Sequence, residues 1–162
     1  MIRRLIIRLL CCLTLSAPGC LTLSAPAFAG SAEPVSFERS ELTIVTAAGT
    51  RYRFDIEVAK TEPQLQQGLM FRDSLAADAG MLFLLGTEEM AAFWMRNTFL
   101  PLDMLFIAGD GRITNIHRDA APGSTSIITS TAPVIAVLEL NAGVTGRLHI
   151  APGDRVVYPA FH

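Results

Sequence analysis

Arg51-Tyr-Arg-Phe-Asp-Ile-Glu-Val58 alternates without a break: Tyr52, Phe54, Ile56 and Val58 fall on one side, and Arg51, Arg53, Asp55 and Glu57 on the other. Side chains along a strand point to opposite faces with period two, so this stretch is a strand with one face in a core and one in water. Upstream, Glu41 to Val45 is a second strand-like run, and Ala48-Gly49 between the two makes a hairpin. Downstream, Thr61-Glu62-Pro63-Gln64 provides an N-cap, an early proline and a capping-box glutamine, which opens a short helix that Gly68 closes.

Beyond that helix, Leu69-Met70-Phe71 is a buried connector and Arg72 to Gly80 a loop. Apolar runs follow at Met81 to Leu85 and Met90 to Met95, with Gly86-Thr87-Glu88-Glu89 as the turn between them. Leu102 to Ile107 is the next run, and Gly109-Asp110-Gly111 returns it as a hairpin into Arg112 to His117. Ala120 to Thr131 is a loop rich in Pro, Gly, Ser and Thr, long enough to cover something. Val134 to Leu140 is the last central strand, Asn141 to Leu148 a turn with one helical turn, and Arg155 to Tyr158 a closing strand. Seven or eight short strands and one or two short helices predict a mainly β fold, α+β with little helix. Its expected form is a small, mostly antiparallel sandwich or partly closed barrel.

The first residues carry Arg3, Arg4 and Arg8 ahead of an apolar stretch ending at Ala27-Phe28-Ala29, the anatomy of a secretory signal with an A-x-A cleavage site. Within it Cys-Leu-Thr-Leu-Ser-Ala-Pro occurs at 12–18 and again at 20–26, a repeat in targeting sequence. Three other readings compete. Leu9 to Ala29 has the length of an uncleaved anchor, though Pro18, Gly19 and Pro26 suit a spanning helix badly. Lipidation at Cys20 meets a poor approach in Ala17-Pro18-Gly19, and the flanks of Arg3-Arg4 fit twin-arginine export weakly. Cleavage after Ala29 makes the mature protein periplasmic or secreted; an uncleaved leader makes it membrane-anchored. Gly30 to Ser40 then forms a flexible tether, and residues 41–162 a single β-rich domain.

All three cysteines, Cys11, Cys12 and Cys20, lie in that leader, so disulfides, thiol catalysis and cysteine metal sites drop out of a chain starting at Gly30. Removing residues 1–29 takes three of thirteen basic residues and none of fifteen acidic ones, leaving 10 − 15 = −5. Such a balance disfavours nucleic acid as a partner, and contact with the membrane is expected only through an uncleaved leader. A chain of this remaining length buries a core without staples.

Candidate chemistry concentrates where polar residues interrupt apolar sequence. On Leu102 to Ile107, Asp103 shares a face with Leu105 and Ile107; on Val134 to Leu140, Glu139 shares one with Ile135 and Val137. If those faces meet one cavity, Asp103 and Glu139 form a general acid/base pair; otherwise each pairs with an arginine or ends a strand. Arg72 and Arg96 are the arginines nearest in sequence, and either reaches a carboxylate bidentately. Trp94 is a stacking wall or a core residue, and Asn97 a ligand contact or a turn residue. His117, His149 and His162 lack metal-ligand spacing, and Ser124, Ser126 and Ser130 lack a nucleophile elbow, so neither a metal site nor a serine hydrolase is expected. No cofactor is expected.

Four blocks occur in order: Gly68-Leu69-Met70-Phe71-Arg72; Gly80-Met81-Leu82-Phe83; Trp94-Met95-Arg96-Asn97-Thr98 with Pro101-Leu102-Asp103; and Val137-Leu138-Glu139-Leu140 with Ala142-Gly143. In these the chain resembles the domain of unknown function 192 family of small, often exported prokaryotic proteins, over roughly Leu42 to Tyr158. The resemblance implies a compact, mainly β domain with no established activity. It also implies that Arg72, Trp94, Arg96, Asn97, Asp103 and Glu139 belong to the family's motif blocks, which does not by itself separate a pocket from a structural network.

The expected function is therefore a non-catalytic periplasmic module that binds a small polar ligand or a partner through Arg72, Trp94, Arg96, Asn97 and Asp103. The alternative is a hydrolase or lyase acting on a sugar or cell-envelope component through Asp103 and Glu139.

Overall fold

The computed structural model describes residues 35–162; the expected leader and the first part of the expected tether lie outside the described residues. In chain order the elements are β1 (Glu38–Val45), β2 (Arg51–Ala59), α1 (Glu62–Gln67), β3 (Ala79–Glu89), β4 (Ala92–Phe93) and β5 (Leu102–Ile107). There follow β6 (Ile113–Ala120), β7 (Ile128–Thr129), β8 (Val134–Asn141), α2 (Val144–Arg147) and β9 (Arg155–Val157). A seven-stranded sheet runs β6-β5-β8-β3-β2-β1-β9, and β4 pairs with β7 in a second, two-stranded sheet.

The fold is mainly β, and the large sheet curls into a half-barrel. Its two edges approach one another where Arg112, just before β6, bridges Arg155 of β9. Backbone bonds from Ile113 N–H to the Asp154 carbonyl and from Val156 N–H to the Gly111 carbonyl, both within 2.9 Å, hold that contact. The alternation of β2 does what it predicts, with Phe54, Ile56 and Val58 buried and Arg51, Arg53 and Asp55 exposed.

Two apolar clusters lie on the two faces of the sheet. Leu42, Ile44, Phe54, Ile56, Leu82, Leu105, Ile107, Leu138 and Leu140 fill the concave side. Met81, Phe83, Met104, Phe106 and Val137 face the other way, under a layer that includes Leu69, Met95 and Ile128. Strands β5, β8 and β3 are thus covered on both faces, which is why their sequences are continuous apolar runs where that of β2 alternates. The capping box on α1 forms as expected: the Thr61 N–H donates to Gln64 Oε1 at 3.0 Å, and the helix ends at Gly68.

The large sheet is mostly antiparallel, as expected; β2 and β3 run parallel, with α1 carried in the crossover between them. Three expectations need correction. β1 begins at Glu38, inside the expected tether, because Glu38 already pairs in register with Val58. Gly86 to Glu89 is no hairpin turn: β3 stays beside β8, with Leu84 opposite Ala136 and Glu89 opposite Val134, and a register shift absorbs the left-handed Gly86. The expected strand at Met90 to Met95 shrinks to β4, whose partner β7 lies in what the composition marked as loop.

Gly80 marks how closely β3 and β8 pack. A Cβ there would sit 2.7 Å from the Glu139 carbonyl oxygen and 2.7 Å from Leu140 Cδ2. Gly80→Ala is expected to cost about 1–3 kcal/mol through this overpacking, read as a lower urea midpoint. An unchanged midpoint would contradict this packing.

Candidate functional site

The antiparallel pairing of β5 with β8 sets Asp103 opposite Leu140 and Met104 opposite Glu139. Asp103 shares the concave face with Leu105, Ile107, Leu138 and Leu140; Glu139 points to the opposite face, with Met81 as its partner on β3 and Met104 on β5. The two carboxylates therefore cannot serve one cavity as an acid/base pair. A strand's period of two separates them once the register is fixed.

Asp103 has no exposure and is fully engaged. Its Oδ1 accepts from the Asp119 N–H at 3.0 Å; its Oδ2 accepts from the Thr145 N–H at 3.0 Å and the Thr145 hydroxyl at 2.7 Å. The pairing of β5 with β6 shifts register between Leu102 and Met104, and Asp119 adopts φ 54, which turns its N–H toward Asp103. Neither Arg72 nor Arg96 pairs with Asp103, as the sequence had suggested. The arginine of this network is Arg118, whose Nε–H donates to Thr145 Oγ1 at 3.0 Å and whose Nη2 donates to the Ile150 carbonyl at 3.0 Å. Asp103 is a clamp joining β5, β6 and the start of α2.

Arg72 lies elsewhere again. Half-buried, it pairs with Glu57, lies over the Phe37 ring at 5.5 Å, and lines a cavity of about 530 Å³ beside Asp55 and Ala79. Among the expected ligand-binding residues, it and Asp103 stand apart from the rest.

Trp94, Arg96 and Asn97 come together with Glu139 around a cavity of about 660 Å³. Its floor is the outer face of β3 and β8, with Phe83, Leu85 and Glu139; one wall is α1 with Gly68 to Met70, and the other is the chain from β4 to Thr98. The second wall is held from both sides. Thr98 N–H donates to the Met95 carbonyl at 3.0 Å, which makes Arg96 and Asn97 the central residues of a turn. Asn97 has φ 59, a conformation asparagine tolerates better than most residues, and its carbonyl accepts from Phe71 N–H at 2.9 Å. On the far side, Met95 N–H donates to Ser124 and Gly123 N–H to Thr98.

At the mouth, Trp94 is 46% exposed and the Arg96 guanidinium stands 5.9 Å from its ring centroid. Trp94 is thus a wall at the rim. Arg96 has no ion-pair partner among the described residues. Phe93 packs edge-on against Phe83 at 5.2 Å and leaves the interior aromatic.

Glu139 is 5% exposed and accepts no hydrogen bond from any described residue; burial alone pushes its carboxyl from the ordinary 4.5 up to about 8. It is therefore mainly protonated at neutral pH, able to donate through O–H and accept through C=O. The sequence marked Glu139 as an acid on an apolar face but paired it with the wrong partner. Register decides that question, and the unbroken pairing of β5 with β8 that sets it joins segments far apart in sequence. The contributions of Phe83 and Gly68 carried no polar signal in the sequence.

The chain belongs to the DUF192 family, described as an Uncharacterized ACR, which matches residues 43–158. Among solved structures it is similar to a Sinorhizobium meliloti 1021 protein named as a candidate transcription regulator, with 47% identity over 77% of this chain and 97% of that one, and a TM-score of 0.75. It is also similar to a Novosphingobium aromaticivorans protein of unknown function, with 41% identity over 78% and 90% of the two chains and a TM-score of 0.73. No curated protein matches the chain.

Two carboxyls in opposite situations give opposite outcomes. Asp103→Ala strands the Asp119 and Thr145 donors and is expected to cost about 3 kcal/mol or more in chemical denaturation. The folded protein holds the Glu139 proton up to about pH 8, whereas an unfolded chain releases it near 4.5. Stability from this group is therefore greatest below pH 4.5, declines as pH rises to about 8 and is level above, with a slope of at most about 1.4 kcal/mol per pH unit. Glu139→Gln is expected to remove that slope and raise the melting temperature at pH 7.5; a variant less stable at that pH would contradict an uncompensated acid.

Proposed function

We propose that this chain is a non-catalytic binding module, and that a small ligand with a polar head enters the cavity between α1 and the Phe93 to Thr98 segment. The observation that carries the reading is Glu139, an acid 5% exposed, without a protein partner, at the floor of a cavity of about 660 Å³. No fully buried side-chain oxygen or nitrogen among the described residues lacks a partner, so the unpartnered Glu139 oxygens open onto the cavity, where a ligand can supply the hydrogen bonds that no described residue gives them. The volume and the mixture of aromatic walls with a few polar groups suit a small organic molecule. Arg96 and Asn97 at the mouth serve as orienting contacts and Trp94 as the rim.

The leader at 1–29 supports an extracytoplasmic setting, in which an envelope component or a small solute is the natural ligand. Nucleic acid is the less favoured partner, because residues 30–162 carry ten basic and fifteen acidic side chains, 10 − 15 = −5. Asp103 is consumed as a clamp on the other face, so the expected pair of Asp103 and Glu139 does not exist; the other carboxyl lining the cavity, Glu62, is an exposed residue of the first turn of α1, which favours binding over two-carboxylate hydrolysis.

A thermal-shift screen against sugars, organic acids, amines and peptidoglycan fragments tests the reading. A ligand at about 100 times its Kd is expected to add about 2.7 kcal/mol, several degrees of melting temperature. Trp94→Ala and Arg96→Ala should fold and weaken that shift, while Arg72→Ala should leave it intact. Hits indifferent to all three substitutions, or no hit, contradict the assignment.

A further inference from the structure

Among the described residues three carboxyls are almost entirely buried, those of Asp103, Glu139 and Asp154, and the protein treats one differently. Asp103 accepts three hydrogen bonds. Asp154 accepts two, from the Ala47 and Ala151 N–H groups, each at 2.8 Å. Glu139 accepts none from any described residue, and its cross-strand neighbours Met81 and Met104 carry thioethers, which donate nothing. What Glu139 lacks is donors. From the geometry of this cavity we infer that its ligand is an organic amine, with a primary ammonium head against Glu139 and an apolar body against Phe83, Phe93 and Leu69. This inference rests on the binding-module reading and names the ligand class for the same site.

An ammonium brings three N–H donors and the one charge a buried carboxylate can use. A carboxylate or phosphate head would find its donors only away from the floor, on Gln66, Gln67, Asn97, Thr98 and Arg96, and beside Glu139 nothing but a single carboxyl proton; an alcohol there would form only one or two neutral bonds. The aromatic walls favour the same choice, since cations with apolar bodies are well received among aromatic faces. Two other charged side chains line the cavity, Glu62 on α1 and Arg96 on the turn. Both are exposed, so solvent screens them, and β3 and β5 on either side of Glu139 present only methionines. Arg96 stands at the mouth over Trp94, leaving the floor to the ligand's cation.

The exchange balances simply. The neutral Glu139 carboxyl gives its proton to solvent, and the incoming R–NH₃⁺ faces the carboxylate that remains. Binding thus releases up to one proton near neutral pH, and it strengthens as the pH rises toward the Glu139 pKa of about 8.

The test is titration calorimetry on the purified protein with 2-phenylethylamine, its neutral counterpart 2-phenylethanol and the anion 3-phenylpropanoate, at several pH values and in buffers of different ionisation heat. The amine is expected to bind at least tenfold more tightly than the alcohol and the anion. Its affinity should rise by roughly tenfold per pH unit between about 5.5 and 7.5, with proton release seen in the buffer dependence. Glu139→Gln, checked for folding by circular dichroism, should abolish both the preference and the pH dependence. The wild-type pH series stands without that variant. Equal affinity for amine and alcohol, or an amine affinity flat across that range, overturns the amine inference. If another compound from the wider screen still binds in a manner dependent on Trp94 and Arg96, the binding module survives; if nothing binds, both fall.

Discussion

The register between β5 and β8 is the constraint on which the rest of this structure depends. Both strands are buried on both faces, so every polar residue on them must be resolved inside the protein. Setting Met104 opposite Glu139 sends the carboxyls of Asp103 and Glu139 to opposite faces of one sheet. A shift by one residue would exchange every side chain between the two cores. Burial of an acid costs several kcal/mol unless it is paired or gives up its charge, and this protein uses both solutions within one strand spacing. Asp103 is answered by a bulge, a left-handed Asp119 and the start of α2; Glu139 keeps its proton.

That difference separates architecture from opportunity. The Asp103 network draws donors from two elements and is itself braced by Arg118, so it stabilises a junction and leaves no valence for a ligand. Around Glu139 the protein supplies apolar walls and a turn fixed on both sides by backbone bonds, with donors such as Arg96, Asn97 and Thr98 lining the cavity but none of them bonded to the Glu139 carboxyl. On the proposed reading, a cavity bounded by a turn that backbone bonds fix and floored by an acid without a protein partner is preorganised for a ligand that brings the missing group. Membership of the DUF192 family agrees with the fold and leaves the ligand to be argued from this geometry.

Much of the fold was legible because local rules dominated locally. The alternation of Arg51 to Val58, the capping box at Thr61 and the hairpin at Gly109 to Gly111 each depend on residues close in sequence, and each formed. The errors arose where distant pairing decided. Gly86 reads as a turn until β8 runs alongside and converts it into an irregularity, and the parallel placement of β3 beside β2 has no local signature at all. The site behaved in the same way. Trp94, Arg96 and Asn97 are contiguous, so their grouping was readable, whereas the partner of Asp103 came from Thr145 and Asp119, separated by β-pairing that no spacing rule encodes. Glu139 was visible as an anomaly, but its face was not.

The central claim is that Glu139 is a neutral carboxyl at the floor of a cavity at physiological pH. The direct measurement is a titration of its side-chain carboxyl carbon by NMR, assigned by comparison with Glu139→Gln. The account requires a midpoint near 8, far above the ordinary 4.5. A midpoint close to 4.5 would mean that water or a protein group already satisfies the carboxylate, and the case for a ligand at this floor would be lost.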